Sequence, residues 1–180
     1  MANAIRQLNM AYNPVEDRLL LRISSGRDEN LTEYRIWLTR RFVHILWNAL
    51  EKVLDKDPSL YEKVSSDNIN AVKDFQEQAA LSRADFKTPY QAKTAETPLG
   101  PEPILVSRLQ VRKASSGGHV LSLQTAEGRS INLALQVQLI HSIRKLLADA
   151  VAKTGWNLSL GPSKSAEPTS GVVPPRSLNS

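Results

Sequence analysis

Apolar and other residues alternate through "RQLNMAYN", "DRLLLRISSG" and "EYRIWL", and the spacing then lengthens to that of a helix in "TRRFVHILWNAL". The change of period from two to about 3.6 predicts three strands followed by a helix. The same succession returns later as "PILVSRLQVRK", "HVLSLQTAEG", "INLAL" and "VQLIHSIRKLL", with turn residues in "NPVED" and "SSGG" between strands.

The two halves match without a gap. Ile36 falls on Leu133, Leu38 on Leu135, Phe42 on Leu139, Val43 on Ile140, His44 on His141, Leu46 on Ile143 and Leu50 on Leu147. The fold class expected is α+β: two βββα repeats, antiparallel sheets with their helices packed in a shared core, related by an approximate twofold axis. The first unit spans residues 1–61 and the second 104–160. An exposed connecting helix is expected in 62–86, with Ile69, Val72 and Phe75 as a thin apolar stripe. A Pro-rich linker follows over 87–103, and a disordered tail over 161–180, rich in proline, serine and glycine. The first repeat helix is apolar around much of its circumference (Phe42, Val43, Ile45, Leu46, Trp47, Leu50 and Val53), which predicts burial on more than one side.

Composition changes the picture only a little. The 180 residues are 41% hydrophobic and 23% charged, as in ordinary globular proteins, and the net charge of +5 favours anionic partners. The absence of cysteine excludes disulfides and thiolate chemistry. No apolar run approaches the roughly 18 residues of a membrane span, and the N-terminal stretch has no signal-peptide core, so a cytoplasmic protein with no membrane partner is expected.

Strand alternation sorts the side chains into two faces. Leu19, Leu21 and Ile23 face the helices on one strand, and Tyr34, Ile36 and Leu38 on the next. Arg18, Leu20, Arg22, Arg35 and Trp37 face away, as do Arg108, Gln110 and Arg112 in the second repeat. Glu33 is the main carboxylate among them. Arginines beside a flat indole suit single-stranded DNA or RNA, the guanidinium meeting phosphate and the indole a base. The alternative is a solvated sheet face. Thr39 is the expected N-cap of the first repeat helix, placing Arg40 and Arg41 in a first turn whose dipole disfavours cations, a conflict that a bound anion would relieve. The nucleic-acid or anion site expected is therefore Arg18, Arg22, Arg35, Trp37, Arg40, Arg41, Arg108 and Arg112. The competing class is a protein-interaction module, a homodimer through the over-apolar helix, Trp37 and Leu20, with a regulatory or scaffold role.

The runs "YNPVEDRLLLRI", "EYRIWLTRRFVHILW" and "GRSINLALQVQLIHSIRKLL" resemble a set of uncharacterised bacterial proteins, a resemblance that implies no activity. The duplicated sheet–helix layout is similar, in topology alone, to the Whirly and PUR-type single-strand binders, whose repeats carry four strands where three are read here. That similarity implies nucleic acid lying on the sheets.

No nucleophile–base pair or phosphate loop can be nominated, so no enzyme, cofactor or metal is expected. His44 and His141 hold matching positions, which a twofold axis could bring together; hydrogen-bonded core or boundary histidines are the other reading.

Overall fold

A computed structural model describes residues 5–26, 30–56, 68–85, 87–90, 96–115 and 118–161. Its elements run β1 (Ile5–Asn13), β2 (Arg18–Ser25), β3 (Thr32–Leu38), α1 (Arg40–Asp55), α2 (Ile69–Arg83), β4 (Ile104–Lys113), β5 (His119–Thr125), β6 (Ser130–Leu135) and α3 (Val137–Val151). The fold is α+β, as expected from the change of period. The strands, however, form one mixed six-stranded sheet in the order β1-β2-β3-β4-β5-β6 rather than separate antiparallel sheets. Neighbours pair antiparallel except β3 and β4, which run parallel through Ile36↔Ile104 and Trp37↔Leu105. The reason is directional: β3 and β4 each enter a unit's sheet with the same polarity, so when their edges meet the pairing must be parallel.

One apolar core lies between the sheet and the helices. Leu19, Ile36, Leu38, Leu121 and Leu133 enter it from the strands; Val43, Leu46 and Leu50 from α1; Ile140, Ile143 and Leu147 from α3. The apolar circumference of α1 is explained by this position: its only markedly exposed apolar residue is Ile45, and it touches both β4 and α3. In turn α3 touches β1 and supports α2.

The connecting helix is exposed over much of its surface: of its thin stripe, Phe75 is 72% exposed and Val72 is half-buried. The buried Ala80 and two ionic contacts, Lys73 to Asp55 at 2.5 Å and Glu77 to Arg144 at 3.5 Å, join α2 to its neighbours. The segment expected as a linker is partly tied to the sheet: the Glu33 amide donates to the Glu96 carbonyl and the Glu96 amide to that of Leu31. At the far end the Trp47 indole donates to the Gly161 carbonyl at 3.4 Å, one residue into the expected tail. Residues 162–180 lie outside the described residues.

β4 changes face along its length. Ile104 and Val106 are buried, yet the arginines two and six residues after Val106 are exposed, while Leu109 and Val111 pack on the core. The register shift between Val106 and Arg108 accounts for this. A bulge inserts one residue, reverses the side-chain phase and turns Arg108, Gln110 and Arg112 outward.

Candidate nucleic-acid interface

The outer face of the sheet is built in rows set by strand register. Asn9, Arg22 and Arg35 form one row; Ala11, Leu20, Trp37 and Leu105 the next; Gln7, Ser24 and Glu33 a third. Arg22 thus stands directly opposite Arg35, an arrangement that repulsion disfavours. Glu33 resolves it. Only 4% exposed, it accepts from Arg22 Nε at 2.8 Å with one carboxylate oxygen and from Arg35 Nη2 at 2.8 Å with the other. The Tyr90 hydroxyl donates to the first oxygen at 3.0 Å, and the Arg22 guanidinium stacks 4.4 Å from the Tyr90 ring centroid. Arg35 also donates to the Pro101 carbonyl at 2.8 Å.

These contacts fix protonation. Burial alone would raise the Glu33 pKa, but the hydrogen bonds from Arg35, Arg22 and Tyr90 outweigh it and hold the carboxyl below the ordinary glutamate range. Burial, and then the bond to Glu33, push the Tyr90 phenol up to about 12, so it remains a donor. Arg22 and Arg35 are therefore already partnered, Arg22 with Tyr90 stacked on it and Arg35 bonded to the Pro101 carbonyl. Glu33 was legible as the carboxylate of this face; Tyr90 was not, since nothing periodic in its segment marks it.

The other expected residues fall into two groups. At one end of the sheet the register places Arg18 beside the start of α1, where Arg40 and Arg41 are exposed. Arg18 lies 3.5 Å from Glu16, a weak exposed pair, and Arg40 lies near Asp17. Thr39 is the N-cap as expected, its hydroxyl accepting from the Phe42 amide at 3.2 Å. Thr39→Ala should cost about 1 kcal/mol of stability in urea unfolding, since one first-turn donor loses its acceptor. On β4, Arg108 and Arg112 are exposed and lie on one side, and among the described residues no carboxylate pairs with either. Trp37 is half-buried and meets Leu105, which is 42% exposed, across the β3–β4 junction. The outer surface of β5 and β6 beside Arg108 and Gln110 is polar, with the Ser122 hydroxyl donating to Asn132 at 2.5 Å.

The histidines occupy unlike surroundings. His44 is exposed with its ring within 3.4 Å of Asn48, whereas His141 is buried 3.5 Å from Arg144. Burial, and then the Arg144 charge, lower the His141 pKa. Arg144 is the hub of a second charged cluster: it contacts Glu51 at 2.6 Å and Glu77, and stacks 4.8 Å from the Trp47 ring centroid. Burial raises the Glu51 pKa despite the opposing Arg144 charge. This cluster joins α1, α2 and α3. Among the described residues no group of three or more His, Asp or Glu side chains is placed to share a metal ion.

No helix of the described chain is long and apolar enough to cross a membrane. No protein-family model, curated protein or solved structure matches the chain.

Proposed function

We propose that the protein is a non-enzymatic, cytoplasmic binding protein, without a cofactor, that takes single-stranded DNA or RNA, or another extended polyanion, on the outer face of its sheet. The observation that carries this reading is the pair Arg108 and Arg112: exposed, aimed to one side by the bulge in β4, and without a carboxylate partner among the described residues. Two side chains four residues apart on a strand stand about 13 Å from each other, a spacing suited to an extended rather than a compact anion. Trp37 and Leu105 border them with apolar surface on which a base can stack. Arg40, Arg41 and Arg18 extend the positive surface, while Arg22 and Arg35 support it from their bonds to Glu33.

The reading includes internal duplication of a βββα unit about an approximate twofold axis. Its support is the β-β-β-α order at both ends of the chain, the reciprocal contacts of α1 with β4 and of α3 with β1, and one further contact. Trp47 and Arg144 occupy matching positions in the gapless alignment, and they stack on one another. Contact between equivalent positions is what a twofold axis produces beside itself. On this reading the layout is similar, in topology alone, to the Whirly and PUR-type single-strand binders, with three strands per unit in place of four.

Replacing Arg108 and Arg112 with glutamine should weaken binding of a labelled single-stranded oligonucleotide about tenfold or more at low salt, in fluorescence anisotropy, without changing the unfolding midpoint. Equal affinity of variant and wild type would place the contact elsewhere. The second reading is a homodimer through the row Ala11–Leu20–Trp37–Leu105, favoured by the exposure of Leu105 next to a tryptophan. A dimer whose mass persists at high salt and is lost in Trp37→Ala would support it.

A further inference from the structure

The outer surface of β4, β5 and β6 is also ordered by strand register. Gln110, Ser122 and Asn132 form one row. Arg112, Val120 and Ala134 form the next, and Arg108 stands on the other side of Gln110. Successive rows lie about 7 Å apart. None of the three strands contains an aspartate or glutamate. A face with two exposed arginines and no carboxylate complements an anionic backbone running along β4. A strand held by its phosphates at Arg108 and Arg112 would bracket Gln110 and direct the base between them across β5 and β6.

The middle row is open where its counterpart is filled. Asn132 matches Arg35 in the gapless alignment, and it pairs with Ser122 as Arg35 pairs with Arg22. In the first half the Tyr90 ring stacks on Arg22 and its hydroxyl donates to Glu33, so a flat ring with a polar tip already sits at that row. In the second half Gln110 and Asn132 are exposed. Asn132 is also oriented. Ser122, only 3% exposed, donates its hydroxyl to Asn132 Oδ1 at 2.5 Å. An amide whose oxygen is engaged presents its amino group to a ligand. Beside it in the next row stand the half-buried Val120 and the exposed Ala134. A donor next to small apolar side chains matches one base edge. Thymine carries its O4 acceptor adjacent to the C5-methyl group, whereas cytosine has an N4 amino donor in place of O4.

We propose that this face seats a thymine base, its O4 accepting from Asn132 and its methyl group resting on Ala134 and Val120, so that the protein prefers thymine-containing single-stranded DNA. The inference rests on the outer-face reading above and adds the base which that face selects. Asn132 reads the base, Ser122 is a positioning residue that fixes the Asn132 amide, and Arg108 and Arg112 supply affinity without sequence information.

The test uses the full chain and three labelled oligodeoxynucleotides of one length, all thymine, all uracil and all cytosine, in fluorescence anisotropy at low salt. The three carry the same backbone and charge, so phosphate contacts cannot separate them. The thymine strand should bind about tenfold more tightly than the cytosine strand. It should bind about threefold more tightly than the uracil strand, which lacks only the methyl group. Asn132→Ala should bring the thymine-to-cytosine ratio close to one with an unchanged circular-dichroism melt, because the side chain is exposed. Ser122→Ala should also lower the ratio, by freeing the Asn132 amide to turn its oxygen toward the cytosine amino group. Arg108→Gln/Arg112→Gln should weaken all three strands alike and keep the ratio. Equal binding of thymine and cytosine by wild type, or a ratio left intact by Asn132→Ala or by Ser122→Ala, would overturn the thymine site and leave the outer-face reading standing. Failure of every strand to bind at low salt would overturn both.

Discussion

Trp156→Ala should remove about 3–5 kcal/mol of folding stability, read as a lower urea midpoint at unchanged slope. Trp156 follows α3, is 4% exposed, and belongs to the apolar core. Its indole donates to the Asp17 carboxylate at 2.6 Å, and its ring meets that of Tyr12 edge to face at 6.0 Å. The Tyr12 hydroxyl donates to the same carboxylate at 2.9 Å. The residue thus fastens the end of α3 to the β1–β2 turn, where Asp17 holds a left-handed backbone with φ of 47°. Hydrogen bonds from Trp156 and then Tyr12 lower the Asp17 pKa. Trp156→Phe should lose less than Trp156→Ala, because the phenyl ring keeps most of the packing and forfeits the donor. Equal losses for the two would mean that the indole N–H, not the ring, is what stabilises this corner.

Glu33→Gln is the second change with a large expected effect, about 2 kcal/mol of stability at neutral pH. Removing one member of a buried ion pair typically costs about 3–5 kcal/mol, and the partial exposure of Arg22 and Arg35 reduces that here. The dependence on pH follows from the lowered pKa of Glu33. A carboxyl whose folded-state pKa lies below its unfolded value of about 4.3 stabilises fully above that value and loses its contribution as pH falls through the folded-state pKa. The gap between wild type and Glu33→Gln should therefore be constant from pH 6 to 8 and shrink steadily below about pH 4.3. A gap that stays the same at low pH would show that the loss comes from side-chain shape and not from charge. The same substitution removes a negative charge and unties two arginines on the outer face, so it should tighten polyanion binding while it weakens the fold. The opposite signs separate a binding effect from unfolding.

Much of the fold could be read from side-chain periodicity because the local and tertiary demands agree. Ile36 and Leu38, then Phe42, Val43, Leu46 and Leu50, are buried where period two gives way to 3.6, and the Thr39 cap marks the same point. The bulge in β4 was also written in the chain, as a break of alternation in "ILVSRLQVR", where apolar positions shift from even to odd after Val106. The parallel β3–β4 pairing was not, because two registered pairs between distant segments leave no local pattern. The ionic contacts of α2, Lys73 to Asp55 and Glu77 to Arg144, were not legible for a related reason: charged contacts carry no apolar stripe. On the candidate interface the outward phase of all the strand arginines was legible. Which of them are already bonded was not, since that depends on the bonds of Glu33 to Tyr90, 57 positions away, and of Arg35 to Pro101, 66 positions away.

The outer-face account is tested most directly by the salt dependence of binding to a labelled oligothymidylate, measured for wild type and for Arg108→Gln/Arg112→Gln. Each arginine that neutralises a phosphate of a single strand releases counterions, contributing about 0.7 to the slope of log affinity against log salt. Wild type should bind at low salt with a steep negative slope, and the double variant should bind more weakly with a slope shallower by about 1.4. No binding by wild type at low salt, or identical slopes for the two proteins, would contradict the account.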